Sequence, residues 1–156
     1  MKKIYTVLLV LVVTLLGCSG PSATGRVLSS VFNGVWDVSF NFPLDRCELI
    51  KGGGEGLVLS DVETINQSGD AVSVAAENLA LNKYNGSVQS PGSFSASASL
   101  EGNLTGDGRF CRLDEELAYN NSDGSEADVV YTVKIACNDG DRCDSVLRGR
   151  AVKRAG

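Results

Sequence analysis

Five cysteines (Cys18, Cys47, Cys111, Cys137 and Cys143) and no histidine frame the chemistry open to this 156-residue chain. Without an imidazole there is no Ser-His-Asp or Cys-His relay and no His-ligated zinc. Acid–base work would rest on carboxylates. The run Cys111-Arg112-Leu113-Asp114-Glu115-Glu116-Leu117-Ala118-Tyr119 holds three of them in succession. Read with a period of two, Cys111, Leu113, Leu117 and Tyr119 share a face, and Glu115 shares it with them. A carboxylate on an apolar face is costly unless partnered; there it would mark a polar point in a ligand cavity. The cheaper arrangement is a bulge at Asp114–Glu116 that turns all three acids to solvent. Alternation separates Glu115 from its two neighbours, so no carboxylate pair is set up for catalysis. A protein that is not an enzyme is expected.

Other candidate groups point the same way. Ser93, Ser95, Ser97 and Ser99 form a hydroxyl stripe with no base assigned to it, which reads as the wet face of a strand. The acidic loops Asp123-Gly124-Ser125-Glu126 with Asp128, and Asn138-Asp139-Gly140-Asp141, offer oxygen ligands for calcium. Neither has the twelve-residue spacing of a calcium loop, and Asx-Gly pairs are ordinary turn chemistry. No metal or cofactor is expected. Fourteen basic against nineteen acidic residues give a formal charge of −5, which argues against binding along a nucleic-acid backbone. Arg142, Arg148, Arg150, Lys153 and Arg154 gather at the C-terminus. They read as an outward strand face, or as a strip that meets lipid phosphates or an acidic partner.

Periodicity also orders the cysteines. Cys137 shares parity with Val129, Tyr131, Val133 and Ile135, and Cys143 with Leu147, Gly149 and Ala151. Both project to one side of a hairpin, which predicts a Cys137–Cys143 disulfide and, by elimination, Cys47–Cys111. Zinc sites favour closer Cys pairs than these, and an exported chain favours oxidation.

Export is written at the N-terminus. Lys2 and Lys3 precede an apolar run, Ile4 to Leu16, of 13 residues. That is too short for a transmembrane helix, which needs roughly 20, and reads as a secretory leader. Its end, Leu15-Leu16-Gly17-Cys18, resembles a bacterial lipobox. The resemblance implies diacylglycerol on the Cys18 thiol, cleavage after Gly17 and acylation, palmitate included, of the new amino group. The chain then divides into a leader (1–17), a lipidated cysteine with a tether (18–25) and one domain (26–156). Ser19 after the lipidated cysteine resembles outer-membrane lipoproteins, so the expected location is the bacterial envelope, at the outer membrane. Without Lys2 and Lys3 the mature chain carries 12 basic and 19 acidic residues, a balance of −7.

The mature chain reads in twos. After a short helical turn over Arg26–Asn33, Trp36-Asp37-Val38-Ser39-Phe40-Asn41-Phe42 alternates without a break. Further strands are predicted over 56–67, 71–81, 82–90, 93–101, 110–119, 127–137 and 143–153, separated by Gly, Asn, Asp and Pro turns. Eight one-faced strands predict an all-β, antiparallel up-and-down barrel, with a β-sandwich as the alternative. Gly34-Val35-Trp36 at the start of the first strand, after a helical turn, resembles lipocalins. The resemblance implies a Trp that closes one end of the barrel and a final-strand Arg packed over it, Arg148 or Arg150. Alternation, however, puts those two on the face opposite Leu147, Gly149 and Ala151.

The reading that follows is an anchored barrel that holds a small apolar or amphipathic ligand. Its candidate binding residues are Trp36, Phe40, Phe42, Ala98, Glu115 and Val133. The competing expectations are a protein-interaction or protease-inhibitor-like envelope module, and a structural envelope protein with no ligand.

Overall fold

A computed structural model of the protein describes residues 30–41, 58–104 and 108–156. The predicted leader, Cys18, the predicted tether, Phe42, Cys47 and half of the predicted helical turn lie outside these residues. Eight strands follow one another: β1 (Gly34–Asn41), β2 (Val58–Ser68), β3 (Ala71–Ala76), β4 (Lys83–Ser90), β5 (Ser93–Gly102), β6 (Cys111–Asn120), β7 (Glu126–Cys137) and β8 (Arg142–Lys153). Each pairs antiparallel with the next, and β8 closes on β1 through pairs from Trp36↔Lys153 to Asn41↔Arg148. Closure leaves no unpaired sheet edge, so the sandwich alternative does not apply. Before β1 the described residues form a turn, Asn33 N–H donating to Ser30 O at 3.2 Å, and no helix occurs among the described residues.

The predicted strand over 71–81 stops at Ala76. From there segment 77–82 bends across one end of the barrel and is closed by Ala76 N–H donating to Asn82 O at 3.1 Å. That end, the upper one, also carries the β1–β2, β5–β6 and β7–β8 connections. The lower end carries the other turns and both ends of the described barrel.

Alternation decides what lies inside. β1 turns Trp36, Val38 and Phe40 inward and Asp37, Ser39 and Asn41 outward; β6 turns Cys111, Leu113, Glu115, Leu117 and Tyr119 inward. The lower half packs as an aromatic cluster. Phe94 stacks on Tyr119 at 4.6 Å, Phe32 meets Phe94 edge-on at 4.7 Å, and Trp36 lies edge-on to Tyr119 at 6.0 Å. Such contacts contribute about 0.5–1.5 kcal/mol each beyond area burial. Trp36 Nε1–H donates to Phe32 O at 2.8 Å, so the buried indole is satisfied.

Two glycines mark where walls come close. A Cβ on Gly86 would lie 1.8 Å from Ser95 O of the neighbouring strand. One on Gly149 would lie 2.3 Å from Ser39 O and 3.0 Å from Phe40 Cα.

The cysteine pairing differs from the one predicted. Cys111 bonds Cys137, with Cα atoms 4.0 Å apart. Cys143 faces Ile135, not Cys137, and is itself disulfide-bonded. Parity placed these residues on one side of the sheet correctly, but it cannot distinguish partners two residues apart. The register does: β6 and β7 set Cys111 directly opposite Cys137. Cys47, the predicted partner of Cys111, lies outside the described residues.

Candidate functional site

The buried carboxylates inside the barrel come from two strands, β2 and β6. In β6 the register runs unbroken through Ser99↔Asp114, Ala98↔Glu115 and Ser97↔Glu116 on one side, and Lys134, Val133 and Thr132 on the other. No bulge interrupts it, which corrects the expectation that all three acids turn outward. Asp114 and Glu116 do turn out, while Glu115 is buried. What makes burial tolerable is donors: Tyr84 OH donates to Glu115 Oε2 at 2.6 Å and Leu81 N–H to the same oxygen at 3.1 Å. Tyr131 completes the surroundings; burial, then the nearby Glu115 charge, raises its phenol well above the usual tyrosine range. Burial and the Glu115 bond do the same to Tyr84. Both phenols therefore stay protonated and act as donors.

β2 supplies groups that were not singled out from the sequence. Its inward residues include Asp61, Glu63, Ile65 and Gln67, all buried. Glu63 Oε2 accepts from Tyr119 OH at 2.7 Å. Desolvation dominates its titration and pushes the carboxyl up to about 8, against the Tyr119 hydrogen bond. Asp61 Oδ1 accepts three backbone N–H groups, from Val62 (2.8 Å), Glu77 (3.0 Å) and Asn78 (2.8 Å). The signal was available: phasing 56–67 by Ile65 puts both acids on its face.

Asp61 and Glu115 together hold segment 77–82 from within, Asp61 at its start and Glu115 at Leu81. Leu79, 7% exposed, is the buried side chain of the segment. Four buried oxygens meet no hydrogen-bond donor among the described residues: Asp61 Oδ2, Glu63 Oε1, Gln67 Oε1 and Glu115 Oε1.

The predicted binding residues separate by height. Phe40, Val133 and Glu115 are buried in the upper half, where Phe40 lies 5.8 Å from Tyr131. Ala98 is half-buried beside them, opposite Glu115. Trp36 belongs to the lower aromatic cluster, away from that group. Phe42 lies outside the described residues.

The cation over Trp36 is Lys153, its Nζ 5.6 Å from the ring and donating to Val31 O at 3.2 Å. Arg148 and Arg150 do not take that place. Alternation carries both to the outside, and Lys153 is the residue in register with Trp36. The C-terminal basic strip is largely paired: Arg150 bridges to Glu126, and Arg154 forks onto Asp37 with bonds of 2.7–3.1 Å.

The acidic loops bind themselves. Asp123 Oδ1 accepts Ser125 N–H, Ser125 OH and Glu126 N–H, which hold its carboxyl down to about 2. Arg109 bridges Asp139 (3.2 Å) and Asp141 (2.6 Å). No group of three metal-ligating side chains occurs among the described residues.

Outside the barrel, a concavity of about 480 Å³ crosses β8, β1 and β2, and one of about 260 Å³ crosses β5 to β7. In the second, Arg112 is already bound to Asp114 at 2.8 Å.

The chain matches no family model, no curated protein and no solved structure.

Proposed function

We propose that this protein is a non-catalytic, lipid-anchored protein of the bacterial envelope that binds a small amphipathic ligand inside the upper half of its barrel. One observation carries the binding reading. Glu115 is buried beside Tyr84 and Tyr131 with one carboxyl oxygen left without a donor among the described residues. Buried polar atoms are rarely left unmatched, and each one calls for an explanation. Eight-stranded barrels have interiors just wide enough to be filled by side chains or to hold one small ligand. Apolar walls with a few convergent polar groups are the usual composition of such sites. Leu79 is the buried side chain of segment 77–82, with Leu81 half-buried against the core beside it, so a ligand of similar bulk would take the seat of Leu79.

The anchor rests on the lipobox-like Leu15-Leu16-Gly17-Cys18. More than one acyl chain gives stable attachment, each buried methylene contributing about 0.8 kcal/mol.

Native mass spectrometry on protein purified from its own membranes tests the binding reading. The expected result is a non-covalent adduct that disappears on denaturation; acylated polypeptide alone, with no extractable small molecule, would refute it. Metabolic labelling with palmitate, abolished by Cys18→Ala, is the expected outcome for the anchor.

A further inference from the structure

We infer that the group this barrel receives beside Glu115 is a primary ammonium, carried on a small apolar body. The inference rests on the binding reading above and names the chemistry of the ligand's polar end. Its basis is the sign of what is missing. The unmatched buried atoms are oxygens, Glu115 Oε1, Glu63 Oε1, Asp61 Oδ2 and Gln67 Oε1; burial keeps a proton on Glu63 near neutral pH, so the acceptor that faces a ligand is Glu115 Oε1. The donors nearby are Tyr84, Leu81 N–H and Tyr119, and the Tyr131 hydroxyl also lies against the Glu115 carboxyl. Tyr84 gives its proton to Glu115 Oε2, as does Leu81 N–H, and Tyr119 gives its proton to Glu63 Oε2. Glu115 thus presents one satisfied oxygen and one without a hydrogen bond to the interior.

A ligand that completes this arrangement has to bring N–H or O–H groups. An ammonium carries three donors and no acceptor. A hydroxyl carries one donor. A carboxylate or phosphate brings only more acceptors and would meet Glu115 as a like charge. No basic side chain is hydrogen-bonded to Glu115 or Glu63 among the described residues, so nothing would offset that repulsion. The walls fit the rest of the ligand as well. Tyr84 meets the carboxyl through its hydroxyl, Tyr131 stands beside it, and Phe40 lies 5.8 Å from Tyr131, which gives the apolar body of the ligand aromatic neighbours.

Three water-soluble probes of one size and different head groups test this: phenethylamine, 2-phenylethanol and phenylacetate. Each is titrated calorimetrically into the full chain held in a non-ionic detergent. The expected order is amine, then alcohol, then acid, with the amine at least about ten-fold tighter than the acid, as befits hydrogen bonds to a charged group. Glu115→Gln removes the charge of the carboxylate and is expected to abolish the preference for the amine over the alcohol. Its fold is checked by circular dichroism; should it not fold, Glu115→Asp, which withdraws the carboxylate by one methylene, is measured for a reduced preference for the amine. Phenylacetate binding as tightly as phenethylamine would overturn the ammonium inference and leave interior binding standing. A preference for the amine that survives in the folded glutamine variant would overturn the assignment to that carboxyl. No heat from any probe would overturn the inference together with the binding reading on which it rests.

Discussion

Tyr119 and Glu63 stand on β6 and β2, four strands apart in an eight-stranded closed barrel, and their side chains meet at 2.7 Å. The bond spans the barrel from wall to wall. It separates the aromatic cluster around Trp36 below from the Glu115 group above, and it joins two strands that share no backbone ladder.

Removing the donor of this cross-barrel bond should therefore be felt by the whole fold. Tyr119→Phe keeps the ring that stacks on Phe94 and leaves Glu63 without its partner. The expected cost is about 1–3 kcal/mol, the usual price of a buried group left unmatched. Thermal or urea unfolding measures it. A change below about 0.5 kcal/mol would show that the bond does not cross-brace the barrel.

Stability should also depend on pH through Glu63. Its folded carboxyl titrates at about 8, above the ordinary 4.5, because burial disfavours the charged form. Between those values the folded chain holds a proton that the unfolded chain has released. The contribution is present in full below about pH 4.5 and is lost as pH rises towards 8. It should amount to a few kcal/mol on order of magnitude. Glu63→Gln, which cannot ionise, should flatten the profile over that window. An equally steep loss in the variant would assign the dependence to another group.

The close approach of β4 and β5 makes its own prediction. In Gly86→Ala the new methyl would lie 1.8 Å from a backbone oxygen of Ser95, and backbone cannot swing aside as a side chain can. A loss of about 1–3 kcal/mol or more is expected. The exposed neighbour Ser87→Ala should stay within about 0.5 kcal/mol. Denaturant melts of the two variants side by side decide it.

Proteolysis under non-reducing conditions should yield a cross-linked peptide containing Cys111 and Cys137, and none joining Cys137 to Cys143. Opening the 26-residue loop by Cys111→Ser should cost about 3.5 kcal/mol on the chain-entropy model. Since Cys143 is also bonded, and Cys18 is taken by lipid on the reading above, its partner should map to Cys47.

Much of this was legible in the residues themselves. Trp36, Val38 and Phe40 alternate with Asp37, Ser39 and Asn41, and Phe94 and Ala96 with Ser95 and Ser97. Period-two alternation follows from the pleat, so these strands and their inward faces needed no tertiary information. Glu115 was visible on the same grounds, as the one acid in phase with Leu113 and Leu117. The preference for a bulge there came from pricing a lone carboxylate, when Tyr84 and Leu81 supply its donors from other elements. Asp61 and Glu63 were harder to read because the large apolar residues of β2 fall in both phases, Leu59 and Ile65 in one and Val58 and Val62 in the other.

What the sequence by itself determined was the period: which residues share a face, how many strands there are and where the turns fall. The pairing of distant groups was decided only by the tertiary structure. Parity repeats every two residues, so it treats Cys137 and Ile135 alike as partners for Cys111, and only the β6–β7 register separates them. Likewise Lys153, rather than Arg148 or Arg150, covers Trp36 because strand closure aligns those two residues. The hydrogen bond from Tyr119 to Glu63 exists only once β8 meets β1 and the two walls face each other across the barrel.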